Sequence, residues 1–170
     1  MPTCPRCALL AVAIAAAVFT GCDSNNPGRD LSLVDGVYVL EELTFDPETQ
    51  ALPTADVASR LDREGTTLEI FGRDAEALLR IRDDRGTGRV NLDVGAARGR
   101  ASFEAVTEDD IGDLADIFLP ASFVLTYNDN ADVLSGMFSQ SGVNLEAFDP
   151  SQYRGLRNVR GTLTVRFRRL

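Results

Sequence analysis

Residues 161–168 read Gly-Thr-Leu-Thr-Val-Arg-Phe-Arg, with Leu163, Val165 and Phe167 alternating with Thr164, Arg166 and Arg168. Successive side chains of an extended chain point to opposite faces, so this order suits a strand with one dry face and one wet face. Seven further stretches read the same way: 36–45, 66–71, 75–82, 89–94, 100–106, 121–127 and 133–139. Gly72-Arg73-Asp74, the glycine-containing stretch 95–99 and Asn128-Asp129-Asn130 supply turn chemistry between them. Eight short strands joined mostly by tight turns predict a mainly β domain. The fold expected is an eight-stranded antiparallel up-and-down barrel or a related sandwich.

Three interruptions predict two or three short helices. Residues 54–64 place Val57, Ala58 and Leu61 at helical spacing, with Gly65 as a stop. Thr107-Glu108-Asp109-Asp110 has the form of a capping box. Ile111, Leu114, Ala115 and Phe118 follow at helical spacing and Pro120 ends the segment. A last turn of helix is expected to start at Asp149-Pro150 and close at Gly155.

The chain ahead of residue 36 obeys a different pattern. Behind Arg6, Ala8 to Phe19 is an unbroken apolar run. At 12 residues it matches the core of an export signal and falls short of the ~20 residues a membrane-spanning helix needs. The run closes on Phe19-Thr20-Gly21-Cys22. These four residues resemble the lipobox of bacterial lipoproteins. The resemblance implies that residues 1–21 are a signal peptide and that Cys22 carries palmitate-type acyl chains. It places the protein in a bacterial cell envelope, anchored on the periplasmic side of a membrane or at the cell surface. Two or more acyl chains hold a protein stably where one does not. Residues 22–35, with Asn25-Asn26-Pro27-Gly28 at their centre, read as a flexible tether, and residues 36–170 as one folded domain. Cys4-Pro5-Arg6-Cys7 spells a redox or zinc motif, but it falls within the segment to be removed.

Charge and composition narrow the chemistry. Removal of residues 1–21 takes away one basic residue, so 16 arginines face 26 acids, a formal charge of −10. Such a surface repels phosphates, which argues against nucleic acid as a partner and leaves membrane attachment to the acyl chains. Histidine and lysine are absent, and every cysteine but Cys22 lies in 1–21. Ser-His and Cys-His pairs, Schiff-base lysines and imidazole zinc sites are thereby excluded. Paired-carboxylate hydrolysis is the one mainstream enzyme class left, and no spacing points to such a pair. The expectation is a non-catalytic protein without metal or cofactor. The cluster Glu108, Asp109, Asp110, Asp113 and Asp116 reads as an acidic helix start with a solvated face, in preference to a calcium site. Asn128 to Asp132 lacks the glycine and closing glutamate of a calcium loop. Arg166 and Arg168 read as the outer face of a half-buried strand rather than an anion patch.

The aromatic residues of the strands leave two readings open, ordinary core or the lining of a ligand pocket. Gly36-Val37-Tyr38 opens the first strand, Arg166 and Arg168 stand in the last, and the long segment Asp46 to Gly65 follows the first. This layout resembles lipocalin-like barrels, in which an aromatic residue of the first strand packs on an arginine of the last. The resemblance implies a small apolar ligand held inside the barrel and lined by Tyr38, Phe71, Phe103, Phe123, Tyr127 and Phe138. It also implies that Asp46 to Gly65 gates the mouth. An eight-stranded barrel can equally be filled by its own side chains. The alternative is then a structural or assembly lipoprotein that contacts an envelope protein through its outer surface.

Overall fold

The computed structural model describes residues 31–49 and 51–170; the expected signal peptide, Cys22 and most of the expected tether lie outside the described residues. The strands are β1 (Gly36–Pro47), β2 (Ala55–Asp56), β3 (Thr67–Phe71), β4 (Glu76–Asp83), β5 (Gly86–Ala97), β6 (Arg100–Ala105), β7 (Ser122–Asn128), β8 (Val133–Val143) and β9 (Val159–Arg169). Two short α-helices, α1 (Glu108–Asp116) and α2 (Leu145–Phe148), interrupt them. From β3 to β9 each strand pairs with the next, β3 pairs with β1, and β9 returns to β1, all antiparallel. The result is a closed eight-stranded up-and-down barrel, with β2 as a two-residue addition on the edge of β1. Closure removes the free edges that a sandwich would have kept.

Alternation decides what points inward. In β9, Leu163, Val165 and Phe167 are buried while Arg166 and Arg168 face water, as their spacing predicts. In β1 the inward residues are Tyr38 and Leu40, then Leu43 and Phe45, so the parity changes on the way. The change falls at Glu41, where the β1–β9 register shifts between Leu40 and Glu42. One extra residue in a strand turns every later side chain to the opposite face. The bulged Glu41 stays outside and joins both outer arginines, at 3.0 Å to Arg166 Nε and 2.7 Å to Arg168 Nε. Tyr38, Phe45, Phe103 and Phe167 are the bulkiest strand side chains in the interior, each buried to within 2% exposure. Removal of this apolar area from water is the main force holding the barrel shut.

Up-and-down order sends alternate connections to opposite ends. One end holds the tight turns β3–β4, β5–β6 and β7–β8, together with the start of β1 and the finish of β9. The other receives the β4–β5 turn and all three long connections, residues 48–66, 106–121 and 144–158.

Local structure departs from expectation in four places. Leu31 and Val34, placed in the tether by sequence, are buried in the core, and Leu31–Leu33 is a single 3-10 turn. Their apolar side chains close the tight-turn end of the barrel. Residues 54–64 form one 3-10 turn, Val57–Arg60, rather than a helix. Asp56 gives its carboxylate to Arg63 instead of capping that turn, and the bridge from Leu61 to Asp83 keeps Leu61 extended. The last helix forms earlier than expected, at Leu145–Phe148, capped by Asn144 Oδ1. Asp149 does collect the N–H groups of Ser151 and Gln152, but the turn it starts ends at Tyr153. The capping box at Thr107 is present. Asp110 accepts from Thr107 N and Thr107 Oγ1, and it reaches across to Asn91 N of β5 at 2.8 Å.

Candidate binding site at the barrel mouth

The three long connections do not seal the end they share. Between them lies an open cavity of about 1090 Å³. Its apolar lining combines Val57 and Leu61 of the first connection, Ile81 of β4, Ile117, Phe118 and Leu119 beyond α1, and Val143 and Phe148 around α2. A cavity of this size is sufficient for a small ligand.

Aromatic contacts tie these connections together. Phe118 meets Phe45 of the core edge-on at 5.7 Å and Phe148 at 5.9 Å, and Phe148 in turn leans on Tyr153 at 6.3 Å. Arg60 lays its guanidinium over the Phe148 ring, 4.0 Å from the centroid, and Tyr153 Oη donates to Pro53 O. The segment expected to act as a gate is thus sewn to the wall. Asp62 N donates to Arg82 O at 2.8 Å, and Thr66 Oγ1 accepts from Arg82 N.

Phe118 owes its position to the way α1 ends. Leu119 N donates to Leu114 O and Phe118 N to Ala115 O, the two bonds of a Schellman cap. That cap needs a left-handed residue, usually glycine, and here Phe118 adopts it at φ 66°. A non-glycine residue in this region carries about 1 kcal/mol of strain. Gln140 Nε2 donates to Phe118 O at 2.8 Å and fixes the carbonyl. The strained backbone holds the ring against the cavity.

Charge around the mouth is mostly negative. Asp83, Asp84, Asp113 and Asp116 line it beside Arg60 and Arg85. Asp83 accepts from Arg85 Nε at 2.9 Å and from the backbone N–H groups of Arg85 and Gly86. The hydrogen bond from the Arg85 side chain, helped by those N–H groups, holds the Asp83 carboxyl below its ordinary range. Asp113 and Asp116 make no ion pair with any described residue, and α1 has no basic residue in its last turn. Among the described residues no three His, Cys, Asp or Glu side chains group to hold a metal ion.

The aromatics that sequence singles out lie elsewhere. Tyr38 is fully buried at the opposite end. Its hydroxyl donates to Val34 O at 3.0 Å and accepts from Arg169 Nη2 at 2.7 Å. Arg169 also stacks over Tyr38 and over Tyr127, at 5.2 and 5.1 Å from the ring centroids. The arginine facing the first-strand aromatic is therefore Arg169, not Arg166 or Arg168. It shares the inward parity of Leu163, Val165 and Phe167. Phe103 stacks on Phe123 at 5.0 Å, and Phe138 meets Phe123 edge-on at 6.1 Å. Phe103 and Phe123 also touch a shallow depression of about 420 Å³ beside Gly95, Ser102 and Ser122. Phe71 is partly exposed where β3 ends. None of the six lines the mouth cavity. The aromatics that do, Phe118 and Phe148, lie outside the strands. Comparison with protein-family models, with curated proteins and with solved structures finds no match.

Proposed function

We propose that this chain is a non-catalytic, lipid-anchored protein of the bacterial envelope that binds a small ligand through an apolar body at the barrel mouth. One observation carries the binding reading. The barrel interior is occupied by its own side chains, whereas the loop end keeps an open cavity of about 1090 Å³ where apolar residues of four separate segments stand among polar and charged ones. Binding therefore belongs at the mouth and not on the barrel axis.

Carboxylates at the mouth do not favour hydrolysis. A proton donor needs a raised pKa in a dry site. Asp83 is shifted the other way by Arg85, and Asp84, Asp113 and Asp116 stand in water. A partner-binding outer surface has weaker support, because the large exposed apolar residues, among them Leu33, Phe71, Val106 and Met137, are scattered over both ends and the wall.

Anchoring at Cys22 would orient the mouth. The chain enters the barrel at the tight-turn end, at Leu31, with only eight residues between it and Cys22. Such a span reaches about 30 Å at most. The mouth would then face away from the membrane.

Native mass spectrometry of protein purified without detergent tests the binding reading. A discrete adduct that denaturation releases, and that Ile81→Arg abolishes, is the expected result. A bare chain mass that persists after incubation with an envelope lipid extract would defeat it. For the anchor, Cys22→Ala should remove acylation and release the protein from membranes; a variant that still floats with membranes would refute it.

A further inference from the structure

We propose that the tight-turn end of the barrel is a lipid-contacting face, which lies on the membrane that carries the anchor and sets Leu33, Phe71 and Leu170 among the headgroups. This rests on acylation at Cys22.

Strand register brings these residues together. Gly36 pairs with Ile70, so Phe71 comes opposite Asp35, and a methyl group on Gly72 would lie 3.2 Å from Asp35 Cβ. Leu170 N donates to Val37 O, and Arg169 Nη2 donates to both Leu33 O and Asp35 O. Ile70, Tyr38 and Arg169 point inward, so Phe71, Val37 and Leu170 point outward on the rim of three adjoining strands. Leu33 is 58% exposed on the turn beside them, Phe71 38% and Leu170 75%.

The length of chain ahead of the barrel identifies the occupant. Eight residues between Cys22 and Leu31 keep this end within about 30 Å of the acyl chains, with the rim facing them. Charge supports the same assignment. The turn tips set Arg73 and Arg98 against Asp74 and Asp129, and Arg169 lies 3.6 Å from Asp132, which leaves this end close to neutral. The acidic excess stands at the other end, where Asp83, Asp84, Asp113 and Asp116 would be repelled by an anionic bilayer. A protein partner fits the face less well, because a stable interface takes about 20–30 residues a side. A face already held at a bilayer by acyl chains needs only a few apolar side chains to leave water.

The chain contains no tryptophan, so a single indole reports on one position. Leu33→Trp and Phe71→Trp probe the face. Met137→Trp on the wall and Val106→Trp in a mouth connection are the controls, both at exposed positions. Each protein is purified acylated and placed in phosphatidylcholine vesicles with brominated chains. Flotation reads the anchor, and bromine quenching reads the face. All four should float. Emission from positions 33 and 71 should shift to the blue and fall about twofold, as expected for indoles about 5–10 Å into the headgroup boundary. Emission from positions 106 and 137 should not change. In Leu33→Ser/Phe71→Ser the protein should still float, while the quenching read by Leu170→Trp should drop to that of Val106→Trp. Floating protein in which positions 33 and 71 are quenched no more than the controls overturns the docking and leaves the anchor intact. Blue-shifted but unquenched emission, with chains that cross-link in pairs, would overturn it in favour of a second copy on this face. Protein that does not float refutes the anchor, and this inference with it.

Discussion

Arg169 Nη2 lies 2.7 Å from Tyr38 Oη, across a ladder in which these residues stand opposite each other although 131 positions separate them. The same guanidinium nitrogen donates to Leu33 O at 2.7 Å and to Asp35 O at 3.2 Å, so one side chain fastens the entry segment, β1 and β9 together. Arg169→Ala should cost about 2–3 kcal/mol in chemical unfolding. Arg169→Lys should recover little, since an ammonium cannot serve Tyr38 and two carbonyls in one plane. A lysine variant as stable as wild type would show that charge, not the guanidinium fork, secures this end.

All three tyrosines should make the fold sensitive to alkali. Burial raises the pKa of Tyr38 against the opposing pull of Arg169, burial raises Tyr153, and burial with the hydrogen bond to Asp132 raises Tyr127. A phenol with a raised folded value releases its proton more readily when unfolded. Stability should therefore be flat below about pH 10 and fall as pH climbs from there through the folded values. Tyrosinate absorbance should rise together with loss of circular dichroism. Ionisation that precedes unfolding, at the ordinary tyrosine pH, would contradict this.

Asp110 contributes to the acid limit. It is 4% exposed, and burial alone would raise its pKa. The hydrogen bonds from Thr107 Oγ1 and from the N–H groups of Asn91 and Thr107 outweigh that effect and lower it. Its contribution is present above the ordinary carboxyl value near 3.8 and is lost as pH falls through the folded value. Asp110→Ala should cost about 2 kcal/mol at neutral pH and flatten the acid limb of the stability profile.

At Phe118 two substitutions separate strain from packing. Phe118→Ala loses the ring but keeps a left-handed side chain, while Phe118→Gly loses the ring and the strain together. The glycine variant should be the more stable of the two by about 1 kcal/mol, and both should weaken binding at the mouth. Equal stabilities would mean that the cap relaxes when the ring is removed.

Gly161 marks the tightest approach in the wall. A methyl group there would collide with Asp46 O and lie 2.6 Å from Phe45 Cζ. Gly161→Ala should cost about 3 kcal/mol in thermal or chemical unfolding, because backbone on the facing strand has no room to yield. A near-neutral result would mean that β1 and β9 part easily at this end.

Strands were the legible part of the sequence, because alternation is a property of neighbouring residues and survives folding unchanged. All eight barrel strands stand within a few residues of where alternation puts them. The Glu41 bulge was not legible in the same way, since it arises from pairing with β9. Parity reaches further than the strand boundaries. Carried two residues past Phe167, it puts Arg169 inside and leaves Arg166 and Arg168 out. Carried around the meander, it sends every odd-numbered connection to one end. That would have brought Phe118 and Phe148 together before any strand aromatic. Strand aromatics point to a pocket only where the barrel axis is open, and here side chains fill it. Residues 54–64 misled for a different reason: their helical spacing is real, but pairing with β1 and Asp83 outweighed a weak local preference.

The ladder between β1 and β9 also has a consequence for how the molecule assembles. Its partners lie at opposite extremes of the domain, so no arrangement of the first seven barrel strands can complete it. A chain still being synthesised would remain an open, two-edged sheet until the eleven residues of β9, Val159–Arg169, arrive. Closure across that sequence distance makes for slow folding and leaves strand edges exposed meanwhile. Loss of the final strand should therefore not yield a slightly weaker barrel. It should yield an aggregating sheet that a protease removes.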